Sequence, residues 1–153
     1  MKILMVCLGN ICRSPLAEGI MRQLVAQRGL DWEISSAGTG DWHVNQPADR
    51  RSIAVAKKFG YDISNQRARH FNKAMFDEAD HILVMDRNNL RDVLNLAMNT
   101  EQRSKVRLFL ADDLEVTDPY YDDQLFEPVF LGIEDRCMQL IDEFKVSLQN
   151  GIT

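Results

Sequence analysis

The sequence predicts an α/β protein: a parallel β-sheet in the middle of three layers, with helices on both faces. Two observations carry this. Short β-branched and aliphatic runs alternate with stretches whose apolar residues recur every three or four positions, and the connections between them are short. A parallel strand–helix–strand unit crosses over with one hand, which distributes the helices to both faces. At 153 residues, 45% hydrophobic and 27% charged, the chain is expected to form a single domain around one sizeable core.

The elements follow in order. Lys2 to Val6 is a first strand, and Ser14-Pro15 opens a helix, with Ser14 as N-cap and Pro15 at the first helical position. That helix runs to about Arg28 with Leu16, Ile20, Met21, Leu24 and Val25 on one face and Glu18, Arg22 and Gln27 elsewhere; Gly29 ends it. Asp31 to Ser35 reads as a second strand, followed by a small-residue turn, Ser36 to Gly40, and an irregular loop at Asp41-Trp42-His43. Pro47 starts a helix reaching about Phe59, and Gly60 stops it. Tyr61 to Phe71 is a polar, basic loop. His81 to Met85 is the third strand, Asn88 to about Met98 a helix, Lys105 to Leu110 the fourth strand, and Ala111 to Asp123 an acidic, turn-forming segment. A last helix, Leu125 to Leu148, carries Phe130, Ile133, Cys137, Leu140, Ile141 and Phe144 at helical spacing.

Composition narrows the partners. A net charge of −5 with no basic stripe argues against nucleic acid. No apolar run approaches the ~20 residues of a membrane span, and a leader segment is not expected. Three cysteines, none in a metal-type cluster, suit a reducing cytoplasm and imply no metal or other cofactor.

The chemistry is concentrated in Cys7-Leu8-Gly9-Asn10-Ile11-Cys12-Arg13-Ser14-Pro15. A strand, a tight loop and a helix N-terminus gather backbone N–H groups around one point, where the helix dipole adds positive charge; this is an anion cradle. The Arg13 guanidinium matches two phosphate oxygens. Cys7 opens the loop, so its sulfur points into the cradle, and a field that holds a dianion also favours a thiolate.

These nine residues, with five between Cys7 and Arg13, resemble the signature of the low-molecular-weight protein tyrosine phosphatases. The resemblance implies a four-stranded sheet in order 2-1-3-4, flavodoxin- or Rossmann-like. It also implies phosphotyrosine hydrolysis through a cysteinyl-phosphate, with Cys7 as nucleophile, and Leu8, Gly9, Asn10, Ile11, Cys12 and Arg13 around the phosphate. Asn10 and Ser14 match positions that hold the loop, Ser14 donating towards Cys7. Ser36 resembles a supporting serine, and Asp86 the Asp that pairs with a loop arginine, Arg69 being the candidate. Cys12 matches a cysteine able to form a disulfide with the nucleophile.

Asp118-Pro119-Tyr120-Tyr121 is the second motif. A leaving aryl oxygen needs a proton, and Asp118 is placed to supply it and afterwards to activate water. Tyr120 and Tyr121, with Trp42, Leu8 and Ile11, would wall an apolar slot whose depth suits phosphotyrosine rather than phosphoserine. The family resemblance implies a phosphotyrosine protein as partner, a bacterial tyrosine kinase among the candidates, and a monomer or weak dimer. Two departures stand out: Gln66 where some members carry histidine, and Asp122-Asp123 where a glycine often follows the tyrosines, implying discrimination against acidic substrates.

Three other activities share parts of this pattern. Arsenate reductases of this fold need two further cysteines near the third strand, and His81 to Leu96 contains none. Arginine phosphatases of this fold carry threonine where this chain has Ile11. A phosphate-binding module without turnover needs neither Cys7 nor Asp118.

Overall fold

A computed structural model describes residues 1–151. The elements are β1 (Lys2–Cys7), α1 (Arg13–Gln27), β2 (Glu33–Gly38), α2 (Arg50–Lys58), α3 (Met75–Glu78), β3 (His81–Val84), α4 (Arg87–Leu96), α5 (Thr100–Ser104), β4 (Val106–Leu108) and α6 (Phe126–Gln149). A 3-10 turn at Asp123–Leu125 leads into α6. The four strands are parallel in the order β2-β1-β3-β4, as expected.

β1 lies inside the sheet and is apolar along nearly its whole length, because a central parallel strand is covered on both faces. Its two-residue period splits it between two cores. Ile3, Met5 and Cys7 join the larger one with α1, α2 and α6, whereas Leu4 and Val6 join a smaller one with α3 and α4. The chain leaves β1 towards β2 and later returns to its other side for β3. A crevice therefore opens at the carboxyl ends of β1 and β3, where Cys7 and Asp86 lie.

Several boundaries differ from expectation, each for a local reason. Ser36, Ala37 and Gly38 continue β2, paired with Met5, Val6 and Cys7, instead of forming a turn. Their small size answers a close approach: a Cβ on Gly38 would stand 2.8 Å from the Leu8 carbonyl oxygen. α2 begins at Arg50, because the Asp49 carboxylate accepts the Arg51 N–H at 2.8 Å, while Pro47 sits in an isolated bridge with Arg67. α1 begins at Arg13 with no side-chain cap, so Ser14 lies inside the first turn and its hydroxyl is free for other work. The basic loop is docked on the sheet edge, where Gly38 exchanges backbone hydrogen bonds of 2.8 Å with Arg69 and Phe71. α3 and α5 were not expected; four and five residues are too few to show a helical period. No helix among the described residues is long and apolar enough to cross a membrane.

α6 fastens the larger core through Phe130, fully buried and stacked on Phe59 with ring centroids 4.8 Å apart. Phe130→Ala is expected to cost about 3–5 kcal/mol in urea unfolding, the range for truncating a buried phenylalanine.

Candidate active site

The loop between β1 and α1 is shaped by Asn10. Its φ of 57° is left-handed, which Asn tolerates better than most residues. Its side chain is buried and fully engaged. Oδ1 accepts the Arg69 backbone N–H at 2.9 Å, which fixes the amide orientation. Nδ2 donates to Ser14 Oγ at 2.7 Å and to Ser36 Oγ at 2.9 Å. Ser14 Oγ, which accepts from Asn10, stands 3.0 Å from Cys7 Sγ, and its own proton can be given to a thiolate there. The Asn10 N–H is a second donor to that sulfur at 3.3 Å.

The network continues inward. Ser36 donates to Glu18 Oε1 at 2.7 Å, and Glu18 pairs with Arg22 at 2.8 Å. Glu18 falls off the apolar face of α1 in sequence yet is buried. The signal available was its position one turn after Ser14 and one turn before Arg22, which puts all three along one side of the helix.

Arg13 is 3% exposed, its guanidinium locked by Asp86 and the Val116 carbonyl, at 2.8 and 3.0 Å from Nη1. Burial alone would lower its pKa, but Cys7, the hydrogen bond it donates to Asp86 and the Asp118 charge outweigh it and raise the value. The cation is permanent. Asp86 also caps α4, accepting the Asn89 N–H at 2.8 Å. Its arginine partner is thus Arg13 and not Arg69. Arg69 lies beside β2, and β1 stands between β2 and β3; its Nε donates to the Ser36 carbonyl at 3.2 Å.

Cys7 lies at the base of a cavity of about 320 Å³ that also meets Leu8, Gly9, Ile11, Cys12, Arg13, Trp42, Asp118, Tyr120 and Tyr121. Trp42 folds back over Gly40, where a Cβ would stand 1.9 Å from the indole. Tyr120 and Tyr121 meet edge to face at 5.0 Å, and Tyr121, 92% exposed, forms the outer rim. His43 lines the cavity as well, its Nδ1 held 2.9 Å from Gln46 Oε1. Only its place beside Trp42 hinted at this.

Asp118 Oδ1 accepts the Tyr120 N–H at 3.1 Å, and Oδ2 stands 3.8 Å from Arg13 Nη2. The extra acids beyond it are engaged: Asp122 accepts the Gln124 N–H at 3.0 Å, and Asp123 pairs with Arg51 at 2.6 Å. Arg51 thus offsets the charge of Asp123, whereas Asp122 keeps its own. Gln66 donates to the Pro15 carbonyl at 3.0 Å and braces α1, while the Arg69 N–H supports Asn10. Among the described residues no cluster of His, Cys, Asp or Glu could hold a metal ion.

All three cysteines are free thiols. The Cys12 thiol is pushed up to about 12 by burial first, then by the charges of Asp49, Cys7 and Asp118. Cys137, wholly buried in α6, is pushed up by burial too.

Known proteins resemble this chain along nearly its whole length. The family model for low molecular weight phosphotyrosine protein phosphatase matches residues 2–150. The human low molecular weight phosphotyrosine protein phosphatase is 38% identical over 92% of this chain and 94% of its own. The crystal structure of Bacillus subtilis YfkJ superposes with a TM-score of 0.88 at 35% identity, covering 96% of each chain. That of a Drosophila arginine phosphatase gives 0.87 at 31%, covering 95% of this chain and 98% of its own.

Two outcomes are expected. Asn10→Ala, which frees the Ser14 hydroxyl and strains the left-handed residue, lowers turnover of an aryl phosphate by ~10- to 100-fold, less than the ~100- to 1,000-fold cost of losing a donor that touches the reacting group itself. The second concerns pH. Cys12 binds its proton more tightly folded than unfolded, so its share of stability is complete below the ordinary value of 9.0 and falls away as pH rises towards about 12. The unfolding free energy of the parent protein relative to Cys12→Ala should therefore decline between pH 8 and pH 10.5.

Proposed function

Since the chain belongs to the low molecular weight phosphotyrosine protein phosphatase family, we propose that it hydrolyses protein phosphotyrosine through a cysteinyl-phosphate on Cys7. The observation that carries this reading is one cavity shared by a sulfur bearing two hydrogen-bond donors, a fixed guanidinium and a carboxyl group.

In the first step the Cys7 thiolate attacks phosphorus. The S–P bond forms as the P–O bond to the tyrosine ring breaks, and the departing oxygen takes the proton of the Asp118 carboxyl. Arg13 and the loop N–H groups hold the other phosphate oxygens, where charge gathers in the transition state. In the second step Asp118, now a carboxylate, removes a proton from water, whose oxygen attacks phosphorus. The S–P bond breaks, phosphate leaves, and the thiolate is restored with the Ser14 hydroxyl and Asn10 N–H donating to it. Asp86 keeps Arg13 aimed, and Ser36 keeps Asn10 in place.

Substrate choice follows from shape. Leu8, Ile11, Trp42, Tyr120 and Tyr121 give the sulfur an apolar approach that a tyrosine ring fills. Phosphoserine is too short to bring its phosphorus down to Cys7. Ile11 offers the wall an apolar contact rather than a hydroxyl, which favours an aryl over a guanidinium leaving group. With three free thiols, the protein suits a reducing cytoplasm.

Hydrolysis of p-nitrophenyl phosphate and a phosphotyrosine peptide in the presence of a chelator tests the reading. Cys7→Ser should abolish both reactions, and Asp118→Asn should slow the peptide reaction by ~100- to 1,000-fold, a typical share for a general acid. Faster release of phosphate from phosphoarginine than from phosphotyrosine, or turnover by Cys7→Ser, would overturn it.

A further inference from the structure

The segment that carries Asp118 is tethered at both ends. At its start, the Val116 N–H donates to the Met85 carbonyl at 2.8 Å, and the Val116 carbonyl accepts from Arg13 at 3.0 Å. At its end, the Tyr120 carbonyl accepts from Arg51 Nη1 at 2.9 Å. Among the described residues, the other hydrogen bonds of Asp118 to Tyr121 stay within the turn.

Arg51 is well placed to hold that second end. Its Nη1 also meets Asp123 at 2.6 Å. Its Nε and Nη2 clasp the Asp49 carboxylate at 3.0 and 2.9 Å. Its guanidinium carbon stands 4.5 Å from the Phe126 ring centroid and 5.3 Å from that of Tyr120, so the plane is held by aromatic contact as well as by hydrogen bonds. Asp49 in turn donates its backbone N–H to the Ile11 carbonyl at 2.8 Å. A continuous path therefore runs from the phosphate-binding loop through Asp49 and Arg51 to the residue two places after Asp118.

We propose that Arg51 is a positioning residue that fixes the distance between the general acid and the nucleophile, by joining the Asp118 turn to the Cys7 loop. The inference rests on the reading of Asp118 as the acid. A planar fork can hold the Asp49 carboxylate along one edge and the Tyr120 carbonyl and Asp123 at its other tip; a lysine ammonium cannot span them. Freed from Arg51, the turn would still be tied at Val116, so Asp118 would remain near the cavity but lose its fixed reach. Positioning errors of this kind act on the step that needs the proton.

The test compares the pre-steady-state burst on phenyl phosphate, whose leaving oxygen depends on protonation, with that on p-nitrophenyl phosphate, whose leaving oxygen depends on it less. Asp118→Asn, Arg51→Met, Arg51→Lys and the Asp118→Asn/Arg51→Met double variant are measured beside the parent protein, with thermal unfolding recorded for each. The expected result is that Arg51→Met slows the phenyl phosphate burst ~10-fold more than the p-nitrophenyl phosphate burst, a smaller loss than removing the acid outright. Arg51→Lys should recover only part of that loss and carries the test if the Met variant does not fold. In the Asp118→Asn background Arg51→Met should add no further leaving-group dependence, because Arg51 acts through Asp118. If Asp118→Asn itself leaves the ratio of the two bursts unchanged, the acid reading fails. If Asp118→Asn changes that ratio but both Arg51 variants leave it as in the parent protein, or if the two effects add fully in the double variant, the positioning inference alone is overturned.

Discussion

The site depends on the buried side chain of Asn10. A loop that aims its N–H groups at one anion must turn sharply, and the left-handed residue at its apex is paid for by the four hydrogen bonds that Asn10 makes with its neighbours and with Cys7. Each bond has a directional consequence. Fixing the amide with the Arg69 N–H leaves both amide protons for serine oxygens, and the bond to the Ser14 oxygen holds that hydroxyl within reach of the sulfur. The order is enforced from one end by the Glu18–Arg22 ion pair and from the other by the docked basic loop. Such networks are costly if one member is left unsatisfied, because desolvated polar groups lose water without gaining a partner.

The charged half of the site obeys a second constraint. Arg13 is almost wholly removed from water, and an unpaired buried cation would be expensive. Asp86 supplies the compensating charge from the end of β3, across the crevice, and is itself oriented by capping α4. The guanidinium is therefore rigid before any anion arrives, which is the condition for using its charge on a transition state rather than on reorganisation. The Val116 carbonyl takes another of its protons, so the same arginine also fastens the start of the segment carrying Asp118.

Much of this was legible in the sequence because the chemistry is contiguous. Cys7 to Pro15 places the sulfur, the arginine and the serine within one loop and one helical turn, and spacing alone brings them together. Asp118 was legible for a different reason, as an acid in a turn beside two aromatic rings. What the sequence hid are relations across the fold. The Arg13–Asp86 pair joins residues far apart in the chain, and choosing between Arg13 and Arg69 needs to know that β1 separates β2 from β3. Ser36 to Gly38 have turn composition, yet their small size serves a strand pressed against the Leu8 carbonyl. Glu18 looks like a surface acid until the Ser36 hydroxyl is found beside it. Arg51 is one of two adjacent arginines at a helix start, and nothing in that pattern says which one reaches the Tyr120 carbonyl.

The cavity has two tiers with different attachments. Its floor, Cys7 and Arg13, belongs to β1 and the first turn of α1, whereas Trp42, His43 and Tyr121 stand on irregular loops with their side chains reaching out to solvent or lying over glycine. Exchanging a rim side chain disturbs no member of the Asn10 network and no buried charge. Selection can therefore retune which phosphoproteins are admitted without reopening the problem of how the phosphate is handled, and relatives that share the floor are free to diverge in clientele.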